Sequence, residues 1–540
     1  MAERLLPTSF STFFRRSRLD FLKKLHAKGP LKSPLFNGIF TGLALPPINL
    51  IFLFFFGMGG LLKRLSEINS TQWRTACKVG FFFGLGYHVV TLYWVALSMH
   101  VSWEAFWPLF IPALLGIPAG ISLLTAMGMG FLVRFTPPTY IRRLAFPLIW
   151  ISLEIMQRYL FTGFPWNPVG LAYSPFLSAM QGAAIVGIDG LSFLLLISLI
   201  VWPSTLSWRP ITASFLIFFL PFLYGNWRLA TTPISTDPET RLVLIQPNTP
   251  QTLKFDPDFV RENFQQLTTM TAEAIGQLPT PQKADLIFWP EAATAFDFQH
   301  HDQARALATA SLGPRQYLLT GFVRQDPQTN NVHNSFGIFS PQGTLATYDK
   351  SHLVPFGEYI PLRQWMPSSL EKLTHGAIDF TPGKGPQTID LKQEKIPLIG
   401  PLVCYEVVFS GAVCDPKKRP NLLVNITNDG WYLNSSGPYQ HLEHSRLRAI
   451  EEGLPLVRIA STGISTVFDP LGQDMPDLLT PTTTRLPYGE PGTLITALPH
   501  PLPASPWSRQ LCFFLLVGLY FMGCVIFYAH RRHHLIRVPI

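Results

Sequence analysis

The sequence predicts a polytopic α-helical membrane region, an α/β layered domain behind it, and one last membrane span. Three observations carry that expectation. Of 540 residues, 47% are hydrophobic and only 14% charged, whereas ordinary soluble domains carry roughly 25% charged residues. The apolar residues are not spread evenly: 35–230 is dense in Phe, Leu, Ile and Gly, 240–500 has ordinary charge with short alternating apolar runs, and 510–529 is one apolar stretch. Finally, loops rich in Lys and Arg alternate with loops that have none. A mean hydropathy of +0.22 excludes a disordered chain, a nucleic-acid-binding arm and a typical cytosolic enzyme. The net charge of +9 then marks cytoplasmic loops rather than a nucleic-acid partner.

Residues 1–34 read as a cytoplasmic basic arm, with Arg4, Arg15, Arg16, Arg18, Lys23, Lys24, Lys28 and Lys32. No small-x-small cleavage site follows, which argues against a signal peptide. Leu19, Phe21, Leu22 and Leu25 among the bases suit a segment lying on the membrane surface as well as a solvated tail. Apolar tracts follow near 35–62, 77–98, 105–134, 144–162, 176–202 and 211–226. A bilayer core of about 30 Å needs roughly 20 apolar residues per helix. Pro46-Pro47 sits in the middle of the first tract and breaks a helix there.

The charges decide how that tract counts. Arg531, Arg532 and Arg537 make the tail 530–540 basic like the arm, so both ends are expected in the cytoplasm. An even number of spans is then required. The first tract counts twice, giving seven spans within 35–230 and an eighth at 510–529. Lys63, Arg64, Arg74, Arg134, Arg142, Arg143 and Arg209 fall on the cytoplasmic side of this scheme. The loops near Pro46-Pro47, 97–105 and 163–175 carry no Lys or Arg. The domain at 240–500 follows the seventh span and is therefore expected outside the cytoplasm.

Within that domain, strands are expected at Arg241–Gln246, Asp285–Trp289, Tyr317–Val323, Pro397–Cys404 and Asn421–Ile426. A hairpin is expected at 335–348 around Pro341-Gln342-Gly343, and a strand pair at 458–468 around Gly463. Helical patterns cover Asp258–Gly276 and Tyr439–Glu452. Such alternation reads as an α/β layered fold. Three residues stand at the ends of apolar strands, where open α/β folds place their sites: Glu291, Lys350 and Cys404. Each alone is more often structural: a buried hydrogen-bonding Glu, a solvated Lys, a small core Cys. Together they make a chemistry. A thiol nucleophile needs a base, which Glu291 can be, and a developing oxyanion needs a cation, which Lys350 can supply.

Phe288-Trp289-Pro290-Glu291, the run Tyr348–Tyr359 (YDKSHLVPFGEY) and Val403-Cys404-Tyr405-Glu406 resemble the three blocks of the nitrilase superfamily. Asn425–Trp431 (NITNDGW) resembles a further turn of that family. The resemblance implies an α-β-β-α sandwich with a Glu-Lys-Cys triad. The membrane half, the single span after the domain and the wording HLVPFGEYIP narrow it to the apolipoprotein N-acyltransferases of Gram-negative inner membranes. It covers about residues 35–530.

Carried over, Cys404 is the nucleophile, Glu291 the general base and Lys350 the oxyanion stabiliser, with Glu358, Tyr405 and Glu406 in support and Trp431 beside the substrate. Phe255 stands where the family often has Trp, so the ring survives but not the indole donor. The resemblance implies transfer of an acyl chain from the sn-1 position of a phospholipid donor, through a thioester on Cys404, to the N-terminal amine of a diacylglyceryl apolipoprotein acceptor. This would be the last step of lipoprotein maturation, at the bilayer, with the catalytic domain periplasmic. It implies no cofactor, no metal and no nucleic acid, and a monomer.

Two rivals compete. A membrane-tethered nitrilase-type amidase would use the same triad with water as acceptor, but would not need eight spans. A transporter would carry more ionisable residues in its spans than His88 and the possible pair Glu154 and Arg158. His352, His441 and His444 lack a completing ligand pattern for metal. The outer-face aromatics Trp103, Phe106, Trp107, Phe164 and Trp166 read first as an interfacial belt and second as acyl-chain contacts. Cys77, Cys512 and Cys524 read as packing residues. A Cys404–Cys414 disulfide would suit an oxidising compartment but would silence the nucleophile.

Overall fold

The computed structural model describes residues 33–200, 208–278, 284–365, 372, 379–394, 396–504 and 509–536. All but the last two residues of the basic arm lie outside them, as do residues 537–540 of the tail. The chain divides into two compact units: Met1–Tyr93, Ile111–Leu153 and Leu196–Ile217 form one, and Trp94–Phe110, Glu154–Leu195 and Phe218–Ile540 the other.

The first unit is helical. The tract with the proline pair becomes two helices, Pro34–Gly42 and Ile51–Ser66, because proline at its centre cannot continue the hydrogen-bond ladder. Small residues bring the helices close. A Cβ on Gly38 would lie 1.9 Å from the carbonyl oxygen of Phe83, and one on Gly86 would lie 2.1 Å from that of Leu35, so only glycine allows these backbones to touch. Arg142, read from the sequence as a loop charge, is fully buried instead. Its guanidinium donates to the carbonyls of Leu65 and Thr136, both at 2.6 Å, and so satisfies two helix C-termini. Among the described residues, three helices are long and apolar enough to cross a membrane: Ser70–Leu92, Phe106–Phe135 and Tyr140–Thr162. Ala183–Ser198 and Arg509–Val525 are apolar but shorter.

The second unit contains two sheets. Six strands run in the order β10-β1-β2-β3-β4-β5, with β1 Thr236–Gln246, β2 Ala284–Phe288, β3 Gln316–Gln325, β4 Val332–Ser340, β5 Gly343–Asp349 and β10 Gly492–Pro499. Four run in the order β6-β7-β8-β9, with β6 Ile399–Val403, β7 Leu422–Thr427, β8 Leu456–Ala460 and β9 Thr466–Phe468. The β1–β2, β2–β3, β6–β7 and β7–β8 pairs are parallel.

Strand side chains alternate between faces, and that period sorts β1 into two cores. Leu242 and Leu244 pack with Phe288, Leu319 and Phe336, and with Val403, Val424, Ile426 and Ile459 of the other sheet. Val243 and Ile245 point the opposite way, onto Leu267 and Ala274 of helix Val260–Gly276 and Ala304 and Ala308 of helix Asp302–Thr309. The sheets therefore meet face to face, with helices on the outer side of the six-stranded sheet. Helix Ser436–Glu452 covers the other sheet, where Arg458 on β8 donates to Ser445 on that helix at 3.3 Å. Every residue of β6, β7 and β8 is buried, as expected of parallel strands covered on both faces, and the polar Asn425, Thr427 and Arg458 among them are hydrogen-bonded. The predicted strands and helices of the domain all form, and β10 and helix Asp302–Thr309 are additional.

Candidate active site

The six-stranded sheet supplies the charges. Glu291 follows β2 across Trp289-Pro290, and Lys350 follows β5 directly. Lys350 is 1% exposed. Its Nζ lies 3.0 Å from Glu358 Oε1 and 2.9 Å from Oε2, but 3.7 Å from Glu291 Oε1. Glu358 is thus its nearer partner. Burial alone would lower the Lys350 pKa, but the carboxylates of Glu358 and Glu291 outweigh it and raise the pKa, so the amine stays charged.

Asn334 on β4 ties the set together. Its Nδ2 donates to Glu291 Oε1 at 2.8 Å and to Glu358 Oε1 at 2.9 Å, and its backbone carbonyl accepts from the Lys350 N–H at 2.9 Å. Both amide protons are spent on carboxylates. Lys254, in the loop after β1, donates from Nζ to the backbone carbonyl of Glu291 at 2.7 Å.

The four-stranded sheet supplies the thiol. Cys404 follows β6 with φ +53°, a left-handed conformation that costs a non-glycine residue about 1–3 kcal/mol. Strain of this kind holds a side chain out of a sharp strand-to-helix turn. The turn is pinned through its carbonyl: Asn425 Nδ2 donates to Cys404 O at 3.2 Å, and His441 Nε2 lies 3.1 Å away. The Thr427 hydroxyl donates to the Cys404 sulfur at 3.2 Å. Burial pushes the Cys404 thiol up, the charge of Glu291 pushes it further, and Lys350 only partly offsets both. The resting sulfur is therefore a protonated thiol.

Behind the turn, His441 Nδ1 lies 2.9 Å from Asp429 Oδ1, and Arg458 donates to Asp429 Oδ2 at 2.5 Å. Burial and then Arg458 lower the His441 pKa. A neutral ring donates to Asp429 or to the Cys404 carbonyl, not to both.

Glu406 joins the two sides. Its Oε1 accepts from Tyr348 OH at 2.8 Å, from the Ser351 N–H at 2.8 Å and hydroxyl at 2.6 Å, and from the His352 N–H at 3.2 Å. Its Oε2 accepts from the Val403 N–H at 2.8 Å. One carboxylate thus clips the cysteine turn to the loop that carries Lys350. Tyr405 stacks on Phe164 and Trp166 at 6.1 and 6.2 Å between ring centroids, and its hydroxyl donates to the carbonyl of Gly163 at 2.9 Å.

Several sequence readings change here. Trp166 is buried rather than part of an interfacial belt, and its Nε1 donates to Gln440 at 2.8 Å. Trp103 and Trp107 are exposed, as a belt requires. Arg158 pairs with Asp189 at 2.6 Å, while Glu154 accepts from the Val169 N–H; hydrogen bonding to a loop amide wins over the helical i,i+4 neighbour. All five cysteines are free, Cys404 and Cys414 included. His441 and His444 face different acceptors, Asp429 with Cys404 O and the Trp166 carbonyl. Among the described residues no cluster of three or more His, Cys, Asp or Glu is arranged to hold a metal. Phe255 and Trp431 are each half-buried.

Sequence reasoning missed Asn334, Lys254, Thr427, Asn425, Asp429 and Arg458 as parts of the site. Thr427 and Asn425 lay within a quoted motif, but their partner is 21–23 residues away in sequence. Nothing local marks Asn334 or Lys254.

Two family models and several relatives match this chain. The family model described as apolipoprotein N-acyltransferase N-terminal domain matches residues 37–201, and the carbon-nitrogen hydrolase model matches residues 245–497. The apolipoprotein N-acyltransferase of Bradyrhizobium diazoefficiens is 34% identical over 87% of this chain and 90% of its own length. That of Rhodopseudomonas palustris is 31% identical over 90% and 93%, and that of Rickettsia prowazekii 33% identical over 81% and 87%. The chain belongs to the apolipoprotein N-acyltransferase family.

Proposed function

We propose that this protein moves an acyl chain from the sn-1 position of a phospholipid to the N-terminal amine of a diacylglyceryl apolipoprotein, through a thioester on Cys404. The observation that carries the reading is the joining, in one chain, of both matched regions over nearly the full length of relatives bearing that activity's name. The site chemistry supports it. The Cys404 sulfur attacks the ester carbonyl while its proton passes to Glu291. The C–O bond breaks, and Glu291 returns the proton to the departing lysophospholipid oxygen. The acceptor amine then attacks the thioester, Glu291 takes a proton from it, and that proton goes back to the leaving sulfur. Lys350 faces the oxyanion formed in each half.

The apolar helices and the confinement of both substrates to a lipid surface fit a chain with eight spans and cytoplasmic ends. Residues 35–230 then form the membrane domain and 240–500 the catalytic domain, on the periplasmic face of a Gram-negative inner membrane. A membrane-impermeant thiol reagent should label a cysteine placed at the exposed Gln325 without permeabilisation; labelling only after permeabilisation contradicts the orientation. For the activity, the full-length protein is given phosphatidylethanolamine and a diacylglyceryl lipopeptide in detergent micelles. Lysophospholipid and N-acylated lipopeptide should form in equal amounts. Free fatty acid in place of the acylated peptide would mean that water is the acceptor, as in an amidase-type hydrolase.

A further inference from the structure

The described site contains a buried cation that the reaction above does not use. We propose that Lys254 is a positioning residue for the general base, its ammonium neutralising the second of two buried carboxylates while it pins the main chain of Glu291. The proposal rests on the Cys404–Glu291 chemistry of the previous section.

Lys254 is 5% exposed, and its Nζ bonds to the Glu291 carbonyl at 2.7 Å. An ammonium without charged company is costly to bury, and a peptide carbonyl alone is thin compensation. The charges around it explain its presence. Lys350 lies within 3.7 Å of both Glu291 and Glu358, so one ammonium serves two carboxylates, and Asn334 lends them only neutral N–H groups. Adding Lys254 makes the set of Glu291, Glu358, Lys350 and Lys254 electrically neutral.

On the Glu358 side the set also faces Lys372, which shares Asp379 with Arg363. Cys404 and Tyr432 are buried acids whose pKa values are raised, so they are uncharged. Asp429 is paired with Arg458 at 2.5 Å. On Lys254's own loop, Asp256 accepts from the Asp258 N–H at 3.0 Å. A negative surplus beside the base would favour its protonated, inactive form and oppose the build-up of negative charge on sulfur and ester oxygen. Burial lowers the Lys254 pKa to about 8, although Glu291 pulls it back up. Its charge is therefore present at neutral pH and is lost as pH rises through about 8.

The test is the rate of acyl-adduct formation on Cys404 in the full-length protein. Phosphatidylglycerol in detergent micelles is supplied without acceptor, so that no amine substrate titrates. The rate is followed from roughly pH 6 to pH 10. The wild-type rate should fall above about pH 8. Lys254→Arg keeps its charge throughout and should move that fall upward by about one pH unit or more. Lys254→Met, similar in length but uncharged, should be about tenfold slower at neutral pH, the size of one pK unit, and should lose the fall near pH 8. A Lys254→Met protein with the wild-type rate and profile overturns the proposal. So does a Lys254→Arg profile that still falls where the wild type does, and that comparison decides alone if Lys254→Met does not fold. A wild type that forms no adduct on Cys404 at any pH overturns the covalent reading itself, and this proposal with it.

Discussion

The two sheets prepare their parts of the site by different physics. On the six-stranded side, Glu291, Glu358 and Lys350 are held by charge, with Asn334 bridging the carboxylates at 2.8 and 2.9 Å. On the four-stranded side, Cys404 is held by backbone conformation, a φ of +53° fixed through its carbonyl by Asn425 and His441. The charged side tolerates little change of electrostatics, and its own left-handed residues, Ala292 after Glu291 and Phe356 before Glu358, shape the chain beside its charges. On the cysteine side the sulfur accepts from the Thr427 hydroxyl and the Asn428 backbone N–H, and its position depends on a further network at its carbonyl. Glu406 is the single carboxylate that ties one side to the other.

This contrast orders the expected effects. Lys350→Ala strikes the charged side hardest. It leaves two buried carboxylates without their ammonium, so adduct formation should fall about 10²–10³-fold and stability by about 3–5 kcal/mol. Single-turnover acylation and denaturant melts check both, and a variant of wild-type stability would mean that Glu291 and Glu358 find other partners. Glu406→Ala attacks the clip. It strands the Tyr348 hydroxyl and the Val403 N–H, among others, at about 1–3 kcal/mol for each buried donor left unmade. Glu406→Gln keeps one acceptor oxygen and should lose less. Equal losses in the two variants would show that the carboxylate's shape matters more than its bonds.

Asp429→Asn probes the cysteine side through pH. Burial alone would raise the Asp429 carboxyl, but Arg458 and His441 hold it below the usual range. Its stabilising contribution is therefore full above the unfolded value of about 4 and is lost as pH falls through the lower folded value. The variant should be less stable than wild type at neutral pH, and the gap should close in strong acid. A gap independent of pH contradicts the ion-pair account. The smallest effects are expected at the margins. Phe255→Trp should retain activity, because the ring's area is kept, while Phe255→Ala should weaken lipid handling. Cys414→Ser should leave adduct formation unchanged, since Cys414 lacks the turn, the lysine and the base.

What was legible in the sequence divides along the same line. Glu291, Lys350 and Cys404 sit at strand ends, where a switch from apolar run to polar residue is visible in one dimension. The strand at Arg241–Gln246 was visible too, as a short apolar run between polar ends, but not which of its residues face which core. The elbow's supports were not. Asn425, Asp429, His441 and Arg458 come from β7, the turn after it, a helix and β8, and only the packed fold brings them into one network, with Asn425 and His441 at the Cys404 carbonyl. Burial of Trp166 was hidden for the same reason, since its partner Gln440 is 274 residues away. Arg142 shows the limit of charge counting, because a loop arginine and one that caps two helices have the same letter.

The central claim is that Cys404 carries the acyl chain. The most direct measurement is the intact mass and peptide map of the full-length protein after exposure to phospholipid without acceptor. The account predicts one acyl chain on Cys404, released by hydroxylamine, lost when a diacylglyceryl lipopeptide is added, and absent from Cys404→Ala. An acyl chain mapped to Cys414, or full turnover by Cys404→Ala, would contradict it.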